Sequence, residues 1–69
     1  MKPLSIQVNG EPHLVAEGFT IVDLLTDLGL RPDRVAVEMN RAIVKQPLWA
    51  ETAIPPGAEL EIVQFVGGG

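Results

Sequence analysis

The chain has 69 residues and a formal net charge of −4, so we expect one small domain with a thin hydrophobic core. It contains no cysteine, which excludes a disulfide framework, a thiolate metal site and a nucleophilic thiol. The five basic residues are scattered, which argues against nucleic-acid binding. No apolar run approaches the ~20 residues that span a membrane, and the N-terminus lacks the apolar region of a signal peptide. We therefore expect a soluble, cytoplasmic domain.

The first two strands are predicted to form a hairpin. Apolar and polar residues alternate over 4–8, which is the period of a half-buried strand. Asn9-Gly10 follows and favours a type I′ turn, in which both central residues need a positive φ. The chain returns as a strand over 13–16. Because Pro12 cannot donate a ladder hydrogen bond, we expect this second strand at an edge of the sheet.

An amphipathic helix that begins after Thr20 is the clearest element. Thr20 and Asp23 have the spacing of a capping box, although Asp is shorter than the preferred Glu or Gln. Phe19 and Leu24 have the spacing of a hydrophobic staple, and Gly29 is suited to cap the C-terminus. One apolar stripe, which predicts packing across a sheet, is formed by Ile21, Leu24, Leu25 and Leu28.

The second half of the chain is predicted to contain three more strands. They span 35–39, 42–44 and about 59–66, with turns at Asn40-Arg41 and 55–57. The segment 46–54 is irregular, with one helical turn near Leu48-Trp49, and Trp49 is expected to close one end of the core. Strands joined as hairpins predict an antiparallel sheet, and one helix across a face of it makes the fold α+β.

Alternation along the last strand predicts two different faces. Leu60 and Ile62 should point toward the helix. The opposite face should carry Glu59, Glu61, Val63 and Phe65. We interpret Val63 and Phe65 as an exposed apolar docking surface for a partner rather than as residues packed under the irregular segment.

The chain is predicted to divide into a body, 1–66, and a flexible glycine tail, 67–69. Glycine has no Cβ, so such a tail can enter a narrow slot, and three extended residues reach about 10 Å. The reactive group at its end is the α-carboxylate of Gly69. This arrangement favours chemistry performed on the chain by another enzyme. The alternative is a disordered or added terminus without chemistry.

The chain resembles the ubiquitin-like β-grasp sulfur carriers, and most closely the bacterial sulfur carriers of thiamine biosynthesis. The resemblance covers essentially the whole chain and depends on the element order and the Val-Gly-Gly-Gly ending. The segments that carry it are 8–11, 35–40, 43–44 with Trp49, and 61–69. Family members often have an acidic residue directly after the turn glycine that precedes the last strand. Here that position is Ala58.

The resemblance implies a β-grasp fold, with a mixed β-sheet and one helix across one face, and a protein that is a co-substrate rather than an enzyme. It implies that Gly69 is adenylated and then carries sulfur as a thiocarboxylate (1-thioglycine), while Gly67 and Gly68 thread into partner sites. The implied partners are a ubiquitin-activating-type adenylyltransferase that uses ATP and Mg, a cysteine desulfurase or other sulfur donor, and a thiazole synthase. The chain itself is expected to bind no cofactor and to be a monomer when free.

Other functions remain open from the sequence. They are a sulfur carrier for molybdopterin synthesis, a ubiquitin-like modifier of lysines, and a passive β-grasp interaction module. His13 has no triad or metal-binding companion at useful spacing, so we expect a solvated strand residue. Asp23, Asp27 and Asp33 lack a further ligand or a closed loop motif, so no metal site is expected.

Overall fold

The computed structural model describes residues 3–65. Its elements are β1 (Pro3–Val8), β2 (Glu11–Ala16), α1 (Ile21–Asp27), β3 (Val35–Met39), β4 (Ala42–Ile43) and β5 (Glu59–Gln64), with 3₁₀ turns at Pro32–Arg34 and Gln46–Leu48. The predicted element order is confirmed, although the first 3₁₀ turn was not predicted and β4 is one residue shorter than expected. The predicted end of the body at 66 and the tail 67–69 lie outside the described residues. No helix within residues 3–65 is long and apolar enough to cross a membrane.

The five strands form one mixed sheet in the order β2-β1-β5-β3-β4. β1 and β5 run parallel, with Gln7 opposite Glu59 and Val8 opposite Leu60. The other neighbouring strands are antiparallel. The antiparallel sheet expected from the hairpins is therefore wrong for the central pair, and the mixed sheet implied by the resemblance is confirmed. β2 lies at an edge, as Pro12 predicted.

Two similar turns close the two hairpins. Asn9 and Gly10 have φ values of 51° and 82°, and Asn40 and Arg41 have φ values of 52° and 71°. Positive φ at both central residues matches the right-handed twist of the paired strands, and Asn adopts this conformation more readily than most residues. Both turns were predicted, and each directs an asparagine side chain toward β5.

Both ends of α1 are capped by residues within or directly beside the helix. Both bonds of the capping box are present, from Asp23 N–H to Thr20 Oγ1 (3.1 Å) and from Thr20 N–H to Asp23 Oδ2 (2.9 Å), so the shorter Asp is sufficient. Gly29, at φ 72°, follows the C-terminal cap Leu28. Leu30 N–H then bonds the carbonyl of Leu25, which completes a Schellman-type ending.

The core lies between α1 and one face of the sheet. Its buried side chains come from every strand except β4, from the helix and from the connection before β5: Ile6, Val15, Ile21, Leu24, Leu25, Val35, Val37, Trp49, Ile54, Ala58, Leu60 and Ile62. Leu28 and Phe19 pack against this cluster while partly exposed. Ala58 is buried, so the position that is often acidic in the family is here part of the core. Within residues 3–65, the other face of the sheet, which we call the open face, carries no helix.

Candidate docking surface and carrier terminus

The two faces of β5 are those that alternation predicts. Leu60 and Ile62 are buried beneath α1, whereas Val63 is 59% exposed and Phe65 is 56% exposed. Phe65 follows the last strand residue, and its N–H donates to the carbonyl of Arg34 at 2.7 Å. The predicted facing of β5 is thereby confirmed. The docking role of Val63 and Phe65 stays a prediction.

Ile43 joins these residues on the open face, and the sequence analysis did not include it. Glu38 lies opposite both Glu61 of β5 and Ile43 of β4, so the three side chains share a face. Ile43 is 75% exposed. A signal was present, because a two-residue turn after Met39 pairs residue 38 with residue 43. We call Ile43, Val63 and Phe65 the open-face patch.

Carboxylates lie within the open-face patch, between Ile43 on β4 and the residues Val63 and Phe65 near the end of β5. Glu38 and Glu61 are direct cross-strand partners, and Glu59 lies on the same face two residues before Glu61. Like charges at paired positions destabilise a sheet. Among residues 3–65, the ion pairs within 4 Å are His13–Asp27 and Arg31–Asp33, so neither glutamate of the pair has a cationic neighbour at that distance. A partner surface with basic side chains facing the glutamates and apolar groups on either side of them would complement this face.

His13 lies on the helix side of β2, so its expected solvation is only partly correct. The pairing of His13 with Ile6 places it on the buried face, near the end of α1. Its Nε2 is 3.6 Å from Asp27 Oδ2, which is longer than a hydrogen bond. Among the described residues, Nε2 has no hydrogen-bond partner. His13 also lines an open groove of about 390 Å³ between the first hairpin and the end of the helix, with Leu28 and Gln64 among the other lining residues.

The three aspartates that suggested a metal site are separated by the fold. Asp23 belongs to the capping box, Asp27 lies beside His13, and Asp33 pairs with Arg31 at 3.1 Å. Within the part of the chain that the structure describes, no three His, Cys, Asp or Glu residues are grouped so that they could hold a metal ion.

Gly69, the predicted sulfur-carrying residue, and Gly67 and Gly68, predicted to thread into partner sites, lie outside the described residues. The structure describes the chain as far as Phe65, at the end of β5. β5 is a central strand, so the described part of the chain ends in the middle of the sheet rather than at an edge.

Comparison with known proteins identifies the family. The model of the ThiS family matches residues 6–69. The chain belongs to the ThiS family. The resemblance to ubiquitin-like β-grasp sulfur carriers is thereby confirmed.

Solved structures agree with this assignment. The crystal structure of the thiamine biosynthesis protein ThiS from Geobacter metallireducens is 30% identical, with a TM-score of 0.82 over 96% of this chain and 100% of that one. A computationally designed protein based on human erythrocytic ubiquitin is 25% identical, with a TM-score of 0.56 over 100% of this chain and 98% of that one. The β-grasp fold is therefore shared with both.

Two kinds of curated relative are similar in sequence. A thiazole synthase of Magnetococcus marinus is 39% identical over 66 residues, which are 96% of this ThiS-family chain but 20% of that protein. The chain thus spans about a fifth of the length of this relative. The uncharacterized protein ycf40 of Porphyra purpurea is 37% identical over 68 residues, covering 99% of this chain and 96% of that protein.

Proposed function

We propose that this chain is a sulfur carrier of thiamine biosynthesis and acts as a protein co-substrate without catalytic activity of its own. The observation that carries the proposal is the ThiS-family match over residues 6–69, which extends through the terminal glycines. The shared fold with the Geobacter thiamine biosynthesis protein supports it. The proposal requires Gly69 to carry the free α-carboxylate, and it places the chain in the cytoplasm.

The chemistry proposed at Gly69 has two steps, adenylation of the carboxylate and displacement of AMP by sulfur. A free carboxylate is a poor acylating agent, so it must first be activated. One carboxylate oxygen attacks the α-phosphorus of ATP, which forms an acyl-adenylate and releases pyrophosphate. A hydrosulfide, which a thiol reductant releases from the donor's persulfide as a disulfide forms, then attacks the acyl carbon. The C–O bond to AMP breaks, and a thiocarboxylate, AMP and a proton remain. ATP and Mg belong to the adenylating partner, and this chain binds no cofactor in the proposal.

Gly67 and Gly68 have a steric role in this scheme. The activating enzyme and the sulfur acceptor must each reach the terminal carbonyl carbon through a channel that excludes water from the reactive acyl group. A residue without a Cβ fits such a channel at the smallest width. The pair Gly68-Gly69 corresponds to the diglycine of the family, and Gly67 lengthens the tail.

The open-face patch is proposed to dock the adenylyltransferase. Its three apolar side chains lie on the face without a helix; Val63 and Phe65 are near the end of β5, whereas Ile43 lies on β4, level with Glu61. The Glu38–Glu61 pair within the patch predicts Arg or Lys on the facing surface. Arg is especially suited because its planar guanidinium can bond two carboxylates at once.

A thiazole synthase is the proposed sulfur acceptor, and a cysteine desulfurase or similar enzyme the proposed sulfur source. The similarity of 66 residues to proteins named thiazole synthase supports the first assignment. In free solution the chain is proposed to be a monomer that associates with these partners in turn.

Intact mass spectrometry tests the carrier proposal directly. The chain is incubated with ATP, magnesium, a sulfide source and the adenylyltransferase from the same genome. We expect a mass gain equal to replacement of one oxygen by sulfur, which is absent when ATP is omitted. No gain with an adenylyltransferase that is active on another carrier would contradict the proposal. A gain followed by transfer to molybdopterin synthase instead of thiazole synthase would reassign the acceptor.

Replacing Phe65 with Ala is expected to weaken binding to the adenylyltransferase about tenfold or more, because a large aromatic side chain at the centre of an interface often contributes 2 kcal/mol or more. The loss of unfolding free energy should be below about 1 kcal/mol, since Phe65 is more than half exposed. Isothermal titration calorimetry and urea unfolding measure the two effects.

Leu14→Ala is the matched control for this measurement. Leu14 is 65% exposed on the same face, but it lies on β2 opposite Ser5. By register it is eight strand positions from Phe65, on the order of 25 Å at ~3.3 Å per residue. Binding should be unchanged in this variant. An equal loss of affinity in both variants, or a larger effect of Phe65→Ala on stability than on binding, would contradict the docking role.

A further inference from the structure

The two edges of β5 differ in the length over which a neighbouring strand pairs with them. On the β3 side, pairing continues from Leu60 to Gln64, and Phe65 N–H adds a further bond to Arg34. On the β1 side, strand pairing ends at Leu60, because β1 turns away after Val8. Within residues 3–65, the last part of β5 therefore has a paired strand on one edge only.

The side chain of Asn9 continues the ladder where β1 ends. Its Oδ1 accepts from Ile62 N–H at 2.7 Å, and its Nδ2 donates to the Ile62 carbonyl at 3.1 Å. Its own backbone N–H donates to the Leu60 carbonyl at 2.8 Å. A carboxamide has the same donor and acceptor as a peptide group, so Asn9 acts as one more strand residue beside β5. The two bonded residues are 53 positions apart in the chain.

The left-handed conformation of the turn makes this contact possible. Asn9 has φ 51°, which few residues other than Gly, Asn and Asp adopt readily. The residue is exposed, so its side chain fills no core position, whereas its partner Ile62 is 7% exposed. The hydrogen bonds are thus the main contribution of the Asn9 side chain.

A small change in the direction of β5 at Ile62 would displace the residues that follow it. It precedes Phe65 by three residues, so a rotation of about 10° at Ile62 would move Phe65 by about 2 Å, given ~3.3 Å per residue. A displacement of about 1 Å between reacting groups can cost about 100-fold in rate. With Asn9 bonded to Ile62 on one edge and β3 paired along the other, β5 leaves the sheet in one direction, whereas a strand held on one edge can twist.

We propose that Asn9 is a positioning residue for the reaction at Gly69, because its carboxamide fixes the direction in which β5 leaves the sheet. This inference rests on the proposed function. Asn9 acts through β5 and has no contact with the reacting atoms in this proposal. Its loss should lower turnover more than affinity, because Ile43 and Val63 stay in their strands and a shift of Phe65 by about 2 Å keeps its ring on the open face, unlike truncation to Ala.

Asn40 offers a matched control, because it has the same turn conformation and also bonds β5. Its φ is 52°, and its Oδ1 accepts from Glu59 N–H at 3.0 Å, at the beginning of β5 rather than near its end. Asn9→Gly and Asn40→Gly each remove the carboxamide while keeping a residue that tolerates positive φ. Asn9→Asp keeps the acceptor for Ile62 N–H and removes the donor to the Ile62 carbonyl.

The experiment measures thiocarboxylate formation by the adenylyltransferase, with kcat and KM determined for each carrier variant. For Asn9→Gly we expect kcat to fall about tenfold, with KM changed less than about threefold, because misplacement acts on the bound complex. Asn9→Asp should be intermediate, and Asn40→Gly should change neither constant by more than about twofold. Amide hydrogen exchange at Ile62 should be faster in Asn9→Gly and unchanged in Asn40→Gly.

Three other outcomes would overturn the positioning role or the proposed function. Equal effects of Asn9→Gly and Asn40→Gly on kcat would show that both asparagines act through stability alone, and would overturn the positioning role. Faster exchange at Ile62 with a normal kcat would also overturn it, while leaving the carrier function intact. A wild-type chain that accepts no sulfur would overturn the proposed function and, with it, this inference.

Discussion

Removing Gly68 and Gly69 together is expected to abolish thiocarboxylate formation while leaving the fold intact. The truncated chain would end at Gly67, so it would lack the diglycine, and its carboxylate would lie two residues short of the activating site. The buried side chains of the described residues all lie between Ile6 and Ile62. The melting temperature should therefore change by less than about 2 °C, which corresponds to a few tenths of a kcal/mol in a domain of this size. Mass spectrometry of the reaction and circular dichroism measure the two properties.

Two smaller changes test separately whether the reaction depends on the length of the tail and on its width. Deleting one glycine leaves a diglycine ending but shortens the tail by about 3.5 Å. Gly69→Ala keeps the length and the carboxylate and adds a single Cβ. We expect both to reduce sulfur acceptance without changing the melt. Normal acceptance by the chain that lacks both glycines would refute Gly69 as the sulfur-carrying residue.

Replacing Trp49 with Ala is expected to remove a large part of the unfolding free energy of the protein. Trp49 is 3% exposed, and its Nε1–H donates to the Val44 carbonyl at 2.6 Å. Removing a buried Trp side chain costs about 3–5 kcal/mol, whereas a domain of this length is stable by only about 3–10 kcal/mol. Urea unfolding followed by circular dichroism should show the lost stability, and sulfur acceptance should fall with the folded fraction.

Trp49→Phe separates the contribution of apolar packing to stability from that of the indole hydrogen bond. The smaller ring keeps most of the apolar contact but leaves the Val44 carbonyl without the indole donor, which should cost about 1–3 kcal/mol. We therefore expect a folded protein with a lower urea midpoint and nearly normal sulfur acceptance. If the urea midpoint of Trp49→Ala equals that of the wild-type protein, Trp49 does not stabilise the core as its burial indicates.

Much of the local structure could be predicted because its causes are local. The capping box of Thr20 and Asp23 and the turn at Asn9-Gly10 each depend on residues a few positions apart. The facing of β5 follows from alternation alone, so Val63 and Phe65 were placed correctly on the open face. His13 was less predictable, because its environment depends on how β2 lies against the end of α1.

The amino-acid sequence by itself determined the element order, the helix and its caps, the hairpin turns, about half of the core and, through its resemblance to known carriers, the family. The tertiary structure alone decided the parallel pairing of β1 with β5, because local periodicity says nothing about which distant strand becomes a neighbour. It also decided that Ile43 joins Val63 and Phe65, and that Asn9 bonds Ile62 across 53 residues. These contacts depend on the order of the strands in the sheet, which is set by the burial of all five strands and the helix together.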